Sequence, residues 1–332
     1  MPVRVAIDAM GGDFGAKPVL GALPLLSDKT DIEVLLVGDP GALEPNLNGQ
    51  NQVRVIPAGS VVEMDESATT ALKKKRDSSI AVAVGLVKEG HADAVVSAGN
   101  TGATMACATL GLGRLEGVSR PAITALFPTG DHPIIVLDVG ANVDCKPDLF
   151  VDFAIMGSIY AEEVLGCTDP RVGLLSIGTE DSKGNEQTLA AFRRLSEAEV
   201  NFKGNMEGRQ IFGGSYDVAV CDGFVGNIIL KFGEATAGHI YHVLKDKVDQ
   251  VVAANPESAN LLKETFQKMF KSMDHEEVGG APLLGVNGAC MICHGGSSPR
   301  AIANAVINAA ASVTNQVNRR ITERLTALSV AV

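Results

Sequence analysis

Ala92-Asp93-Ala94-Val95-Val96-Ser97-Ala98-Gly99-Asn100-Thr101-Gly102-Ala103-Thr104-Met105 decides how the rest of the chain is read. Asp93 to Ser97 is a short, apolar, β-branched run bounded by His91 and Gly99, and it predicts a buried strand. Gly99 to Gly102 predicts a tight turn, and the small residues from Ala103 to Thr109 open a helix. A strand that ends in a glycine turn at a helix N-terminus leaves backbone N–H groups aimed at one point, with the positive end of the helix dipole behind them. That arrangement suits an anion. A single loop of this kind is also an ordinary βα connection, so the question is whether it recurs.

It recurs five times. Val3 to Asp8 runs into Ala9-Met10-Gly11-Gly12-Asp13, and Ile134 to Asp138 runs into Val139-Gly140-Ala141-Asn142. Val172 to Ile177 empties into Gly178 to Asn185, Asp217 to Cys221 into Asp222-Gly223-Phe224-Val225-Gly226-Asn227, and Ala289 to Cys293 into His294-Gly295-Gly296-Ser297-Ser298. Strands that alternate with helices predict a mainly parallel sheet. Parallel connections collect strand C-termini on one edge, where open α/β sheets bind ligands. The expectation is therefore one crevice ringed by six loops.

The 332 residues allow one large α/β unit or about two ordinary domains. At 46% hydrophobic and 20% charged the chain buries a substantial core. A net charge of −11 argues against nucleic acid as the main partner. The six cysteines lie mostly in apolar segments and predict reduced core thiols of a cytosolic protein. The N-terminus starts on a strand without a signal-peptide pattern, and no apolar run approaches the ~18 residues of a membrane span. A soluble protein, or one lying on a membrane surface, is expected.

Lys73-Lys74-Lys75-Arg76 puts four cations together in an acidic chain. They form either a solvated surface or a docking patch for an acidic partner. Gly111 to Gly117 follows a helix, not a strand, and is not a dinucleotide fingerprint. Between Gly233 and Met273, two amphipathic patterns flank Asn255-Pro256 and predict a helical hairpin. Its apolar stripe packs on the parent sheet or in a two-fold four-helix bundle. Val251, Val252, Leu261 and Leu262 at its tip suit a membrane interface. Cys290-Met291-Ile292-Cys293-His294 matches a haem-attachment pattern, yet strand residues three apart face opposite sides, so haem is not expected.

The motifs Ile7-Asp8-Ala9-Met10-Gly11-Gly12-Asp13, Asp77-Ser78-Ser79-Ile80, Ser97 to Ala103, Leu137 to Asn142, Ser176 to Glu180, Lys183-Gly184-Asn185, Cys221 to Asn227 and His294-Gly295 occur in order along nearly the whole chain. Together they resemble the PlsX family, the acyl-acyl-carrier-protein:phosphate acyltransferases of bacterial phospholipid synthesis. The resemblance implies a three-layer α/β/α Rossmann-like fold of the isocitrate/isopropylmalate dehydrogenase type, one unit over residues 1–332. It implies a hairpin over 233–275 projecting for dimerisation and membrane contact. It also implies a cytoplasmic homodimer held peripherally at the inner face of the cell membrane. The acyl phosphate product would pass to a downstream acyltransferase.

Inorganic phosphate is itself a nucleophilic oxyanion, so attack on a thioester requires positioning and oxyanion stabilisation, with no Ser or Cys nucleophile, cofactor or metal. On that scheme Lys183 pairs with phosphate, and Asn100, Asn185 and Asn227 donate to phosphate or to the developing oxyanion. Asp138 or Asp222 orients these donors or acts as acid/base, and His294 protonates the leaving thiolate. Asp8, Gly11, Gly12, Asp13, Gly99, Thr101, Gly102 and Gly226 join Asn100 and Asp222 as expected substrate-binding residues. The cationic run at Lys73 to Arg76 would dock the carrier protein. The competing expectations are a phosphate acetyltransferase using acyl-coenzyme A, and a non-enzymatic membrane or carrier-protein scaffold.

Overall fold

A computed structural model describes residues 1–47, 52–129, 132–254, 265 and 279–330. The buried strand expected at Asp93 to Ser97 is β4 (Ala94–Ser97), which lies between β1 (Val3–Asp8) and β11 (Ala289–Ile292), parallel to both. The other strands are β2 (Ile32–Gly38), β3 (Val53–Pro57), β5 (Ala122–Phe127), β6 (Ile134–Leu137), β7 (Val172–Leu175), β8 (Phe202–Met206), β9 (Val218–Val220) and β10 (Ala281–Leu284). They make one eleven-stranded sheet in the order β3-β2-β1-β4-β11-β10-β5-β6-β9-β7-β8.

Strand direction corrects the one-edge expectation. β10 is antiparallel to both β11 and β5, and β5 is antiparallel to β6. Three reversals separate β11 from β6, so β6, β7, β8 and β9 run opposite to β1, β2, β3, β4 and β11. The loops after β1, β4 and β11 therefore gather at one edge of the sheet, and those after β6, β7 and β9 at the other. Short connections suffice for the antiparallel pairs β5/β6 and β10/β11, and the third, β10 against β5, joins segments far apart in the chain.

Ten helices complete the described chain: α1 (Ala16–Ala22), α2 (Pro40–Leu43), α3 (Ala68–Lys74), α4 (Ser79–Lys88), α5 (Thr101–Gly111), α6 (Pro147–Glu163), α7 (Glu186–Ser196), α8 (Gly223–Ala254), α9 (Pro299–Thr314) and α10 (Val317–Val330). Strand alternation sends neighbouring side chains to opposite faces. Val95, Cys290, Ile134 and Val136 join α4 and α5 in a core that runs the length of one face. The other face carries two cores, one with α1 and α9, the other with α6, α7 and α10. Cys290 and Cys293 fall in different cores, as strand alternation requires.

α8 starts at Gly223, ten residues before the amphipathic pattern at Gly233, because the glycine loop after β9 is itself the first helical turn. Its first part packs near β6, whereas Ile240, Val243, Leu244 and Val251 remain exposed. Leu261 and Leu262 lie outside the described residues, as does most of the hairpin's expected second helix. No helix among the described residues is long and apolar enough to cross a membrane.

Candidate active site

At the end of β6, Asp138 is fully buried and organises the loop that follows. Its Oδ1 accepts from Ile123 N at 3.0 Å, Gly140 N at 3.3 Å and Ala141 N at 3.1 Å. Its Oδ2 accepts from the backbone N of Asn142 and, at 3.0 Å, from Asn142 Nδ2, which also donates to Pro121 O. Burial pushes this carboxyl up from its ordinary range, while the N–H donors pull it back. A carboxylate so surrounded has both oxygens taken up by protein donors.

The N-terminus of α8 lies directly on that loop. A Cβ at Gly226 would sit 2.0 Å from Asp138 O, so only glycine permits the approach. Gly226 is thus a packing glycine. Asp222 Oδ1 caps the helix, accepting from Phe224 N and Val225 N at 2.9 Å each. Asn227, one turn in, stands over Gly140. Its side-chain amide makes no hydrogen bond among the described residues. Across the β7 loop, Asn185 caps α7 by accepting from Thr188 N at 2.9 Å. Asn205 Nδ2 holds the Glu180 carbonyl at 2.8 Å. Lys183 on this loop is exposed, and its ammonium forms no ion pair among the described residues.

The opposite loop set is built the same way around Asp8. Asp8 Oδ1 accepts from Gly11 N at 3.2 Å and Oδ2 from Ser97 Oγ at 2.8 Å, and burial again pushes the carboxyl up. Gly11 and Gly99 touch backbone to backbone, since a Cβ on Gly11 would meet Gly99 Cα at 2.8 Å. Here the donors are engaged. Asn100 Oδ1 caps α5 at Ala103 N, while its Nδ2 donates to Met64 O at 2.7 Å and Glu66 O at 3.0 Å. Asp13 N donates to Gly295 O, and both carboxylate oxygens of Asp13 lie beside Gly295. His294 Nδ1 accepts from Gly296 N at 3.0 Å, so Nε2 is the ring nitrogen without a hydrogen bond among the described residues.

A groove of about 440 Å³ joins the two sets across the face of β5. Thr101 and His294 line one side, and Gly140, Asn227, Lys231 and Glu234 the other. The structure therefore brings His294 and Asn227 to one groove. Gly184, Asn185 and Asp222 instead line a neighbouring cavity on the other flank of α8.

The family described as "Fatty acid synthesis protein" matches residues 3–320. A phosphate acyltransferase of Pelotomaculum thermopropionicum is 45% identical over 99% of this chain and 96% of its own length. One of Nostoc punctiforme is 48% identical over 96% and 95%. The chain belongs to the PlsX family of phosphate acyltransferases. A phosphotransacetylase from Streptococcus pyogenes superposes with a TM-score of 0.64 at 17% identity over 94% of both chains, which shows a shared fold.

Two residues of this PlsX chain were not singled out by sequence. Lys231 and Glu234 follow Asn227 at helical i, i+4, i+7 spacing and face the groove with it. That spacing was the available signal, hidden because the helix was expected to begin at Gly233. The cationic run is also divided by the fold. Lys75 is tied to Glu66 at 2.6 Å and to the Val61 carbonyl, whereas Lys73, Lys74 and Arg76 remain exposed.

Proposed function

We propose that this acyltransferase carries a fatty acyl group from acyl-acyl-carrier protein to inorganic phosphate, producing acyl phosphate and the free carrier thiol. One observation carries the site assignment. On the second loop set the Lys183 ammonium and the Asn227 amide are free of protein partners among the described residues, while the equivalent Asn100 amide is engaged. Lys183 neutralises phosphate as its oxygen attacks the thioester carbon. Asn227 donates to the carbonyl oxygen as it becomes an oxyanion, and the rigid Asp138 loop holds α8 in place for that donation. The tetrahedral intermediate collapses, the C–S bond breaks, and the thiolate takes a proton. That proton is the one hydrogen phosphate brings, and His294, across the groove, is the candidate hydrogen-bond donor to the leaving sulfur through Nε2–H.

The test is phosphate-dependent thiol release from long-chain acyl-acyl-carrier protein, beside the matching acyl-coenzyme A. Release from the carrier with acyl phosphate accumulating supports the reading. Preference for short acyl-coenzyme A replaces it with a phosphate acetyltransferase.

A homodimer belongs to the same proposal. Phe224, Ile228 and Phe232 recur every four residues along α8 and are exposed in the protomer, at 59%, 53% and 72%. A symmetry-related copy would cover such a stripe twice. Phe232→Glu should then give a monomer in sedimentation, and an unchanged dimer would place the contact elsewhere. Exposed Val251 beside half-buried Val252 supports contact with an anionic membrane surface. Loss of vesicle binding in Val251→Asp would be expected, and undiminished binding would discard that contact.

A further inference from the structure

The cavity on the far flank of α8 has no role in the scheme above. It measures about 370 Å³, within the usual size of a small-molecule site. Its walls are apolar: Phe150 of α6, Leu175 at the end of β7, Cys221, and Val225 and Ile229 of α8. Phe150 and Cys221 belong to the buried core, so the floor is part of the fold and not a surface crease. Its polar residues are Ser176 and Asn185 of the loop after β7, Thr188 in the first turn of α7, and Asp222 after β9. The loop after β7 also carries Lys183, and Asp222 caps the helix that carries Asn227.

Two other grooves place charges along their walls. The groove across β5 has apolar lining at Ile123, Ala125 and Ile292 but also carries Lys231, Glu234 and His294. The groove between α6 and α10 carries Glu162, Asp169, Glu199, Arg320, Glu323 and Arg324. A hydrocarbon gains nothing from either set of charges, because burying a charge without a partner is costly.

We propose that the apolar cavity between the β7 loop and α8 holds the hydrocarbon chain of the acyl donor. This rests on the acyl-transfer reading above. A chain seated against Leu175, Cys221 and Ile229 presents its thioester at the polar rim, beside Asn185 and Asp222 and at the loop that carries Lys183. The polar arm of the carrier is then left to the groove on the other side of α8. Cys221 serves as wall and not as nucleophile: its thiol is buried, points to the Asp138 carbonyl at 3.4 Å, and burial holds it in the protonated form. Chain length is measured by the depth of this cavity.

Gly208 allows a clean test. It lines the cavity, and a Cβ built there meets nothing within 4 Å, so a larger side chain fills space without displacing the core. For the wild-type protein, kcat/KM over a series of saturated thioesters from butyryl to palmitoyl should rise by about fourfold per added methylene until the cavity is full, then level. Gly208→Leu should level earlier and lower the ratio of long-chain to short-chain turnover. Val225→Ala, which enlarges the cavity, should move the plateau to longer chains. Displacement of cis-parinaric acid, a fluorescent fatty acid, gives a readout independent of turnover. Probe binding to the wild type that weakens in folded Gly208→Leu supports the cavity. Equal probe binding in both proteins, with an unchanged chain-length profile in both variants, overturns it. If no thioester is turned over yet Gly208→Leu still weakens the probe, the transfer reading fails and the cavity stands.

Discussion

The two halves of the sheet carry the same device and use it differently. In each, a strand ends in a buried aspartate, Asp8 or Asp138, whose oxygens gather donors from a glycine loop. In each, an arginine ties the opposite ends of two parallel strands. Arg4 pairs with Asp93 at 2.7 Å, and Arg171 with Asp217 at 2.8 Å, each also donating its backbone N to the same carboxylate. The scaffold is therefore shared. The halves differ in the donors left over: Asn100 is closed onto the segment around Met64, whereas the Asn227 amide and Lys183 ammonium have no partner among the described residues. A glycine loop at a strand end is thus a holder, and the chemistry depends on which side chains the holder leaves unsatisfied.

The strongest way to break this comparison is to remove the free donors. Lys183→Ala or Asn227→Ala should each lower phosphate-dependent turnover by about 10²–10³-fold, the scale of one lost oxyanion donor. Circular dichroism should remain that of the wild type. Full activity in either variant would remove that residue from the site.

The holders should be felt as stability. Asp138→Asn leaves buried N–H groups facing an amide and should cost about 2–3 kcal/mol in denaturant unfolding. Asp8→Asn should cost less, since fewer backbone N–H groups converge on Asp8 than on Asp138. Equal losses would mean that the two loops are not organised by their aspartates to different degrees.

Asn100→Ala tests the engaged donor. Loss of the α5 cap should cost about 1 kcal/mol, and turnover per folded molecule should fall far less than in Asn227→Ala. A fall as deep as that of Asn227→Ala would put Asn100 in contact with substrate.

The smallest effect concerns the arginine tethers. Hydrogen bonds from Arg171 hold Asp217 below the ordinary aspartate value of 3.8, and Arg4 does the same for Asp93. A depressed native pKa gives stability that is complete above the unfolded value and is lost as pH falls through the native one. Unfolding below about pH 4 should therefore be less steep in Asp217→Asn, by about 1 kcal/mol for a half-exposed pair. An identical acid limb in wild type and variant would show the tether to be inert.

Much of this protein was legible in its sequence because the signals were local. The strands and their glycine loops announce themselves through periodicity and turn chemistry, which depend on near neighbours along the chain, whereas the helix-capping role of Asn100, Asn185 and Asp222 came from the structure. The ordered motifs also pointed to the family. What only the tertiary structure decided was direction and engagement. Nothing in the residues of β5 or β10 states that three antiparallel pairings will turn β6 to β9 around, splitting six loops into two sets of three. Strand periodicity is the same read either way. Likewise Asn100 and Asn227 follow similar glycine turns, and only the segment from Glu63 to Glu66, brought in from more than thirty residues away, occupies one amide, while the other has no hydrogen bond among the described residues. Side-chain donors are satisfied in three dimensions, and the sequence carries no mark of which ones will be.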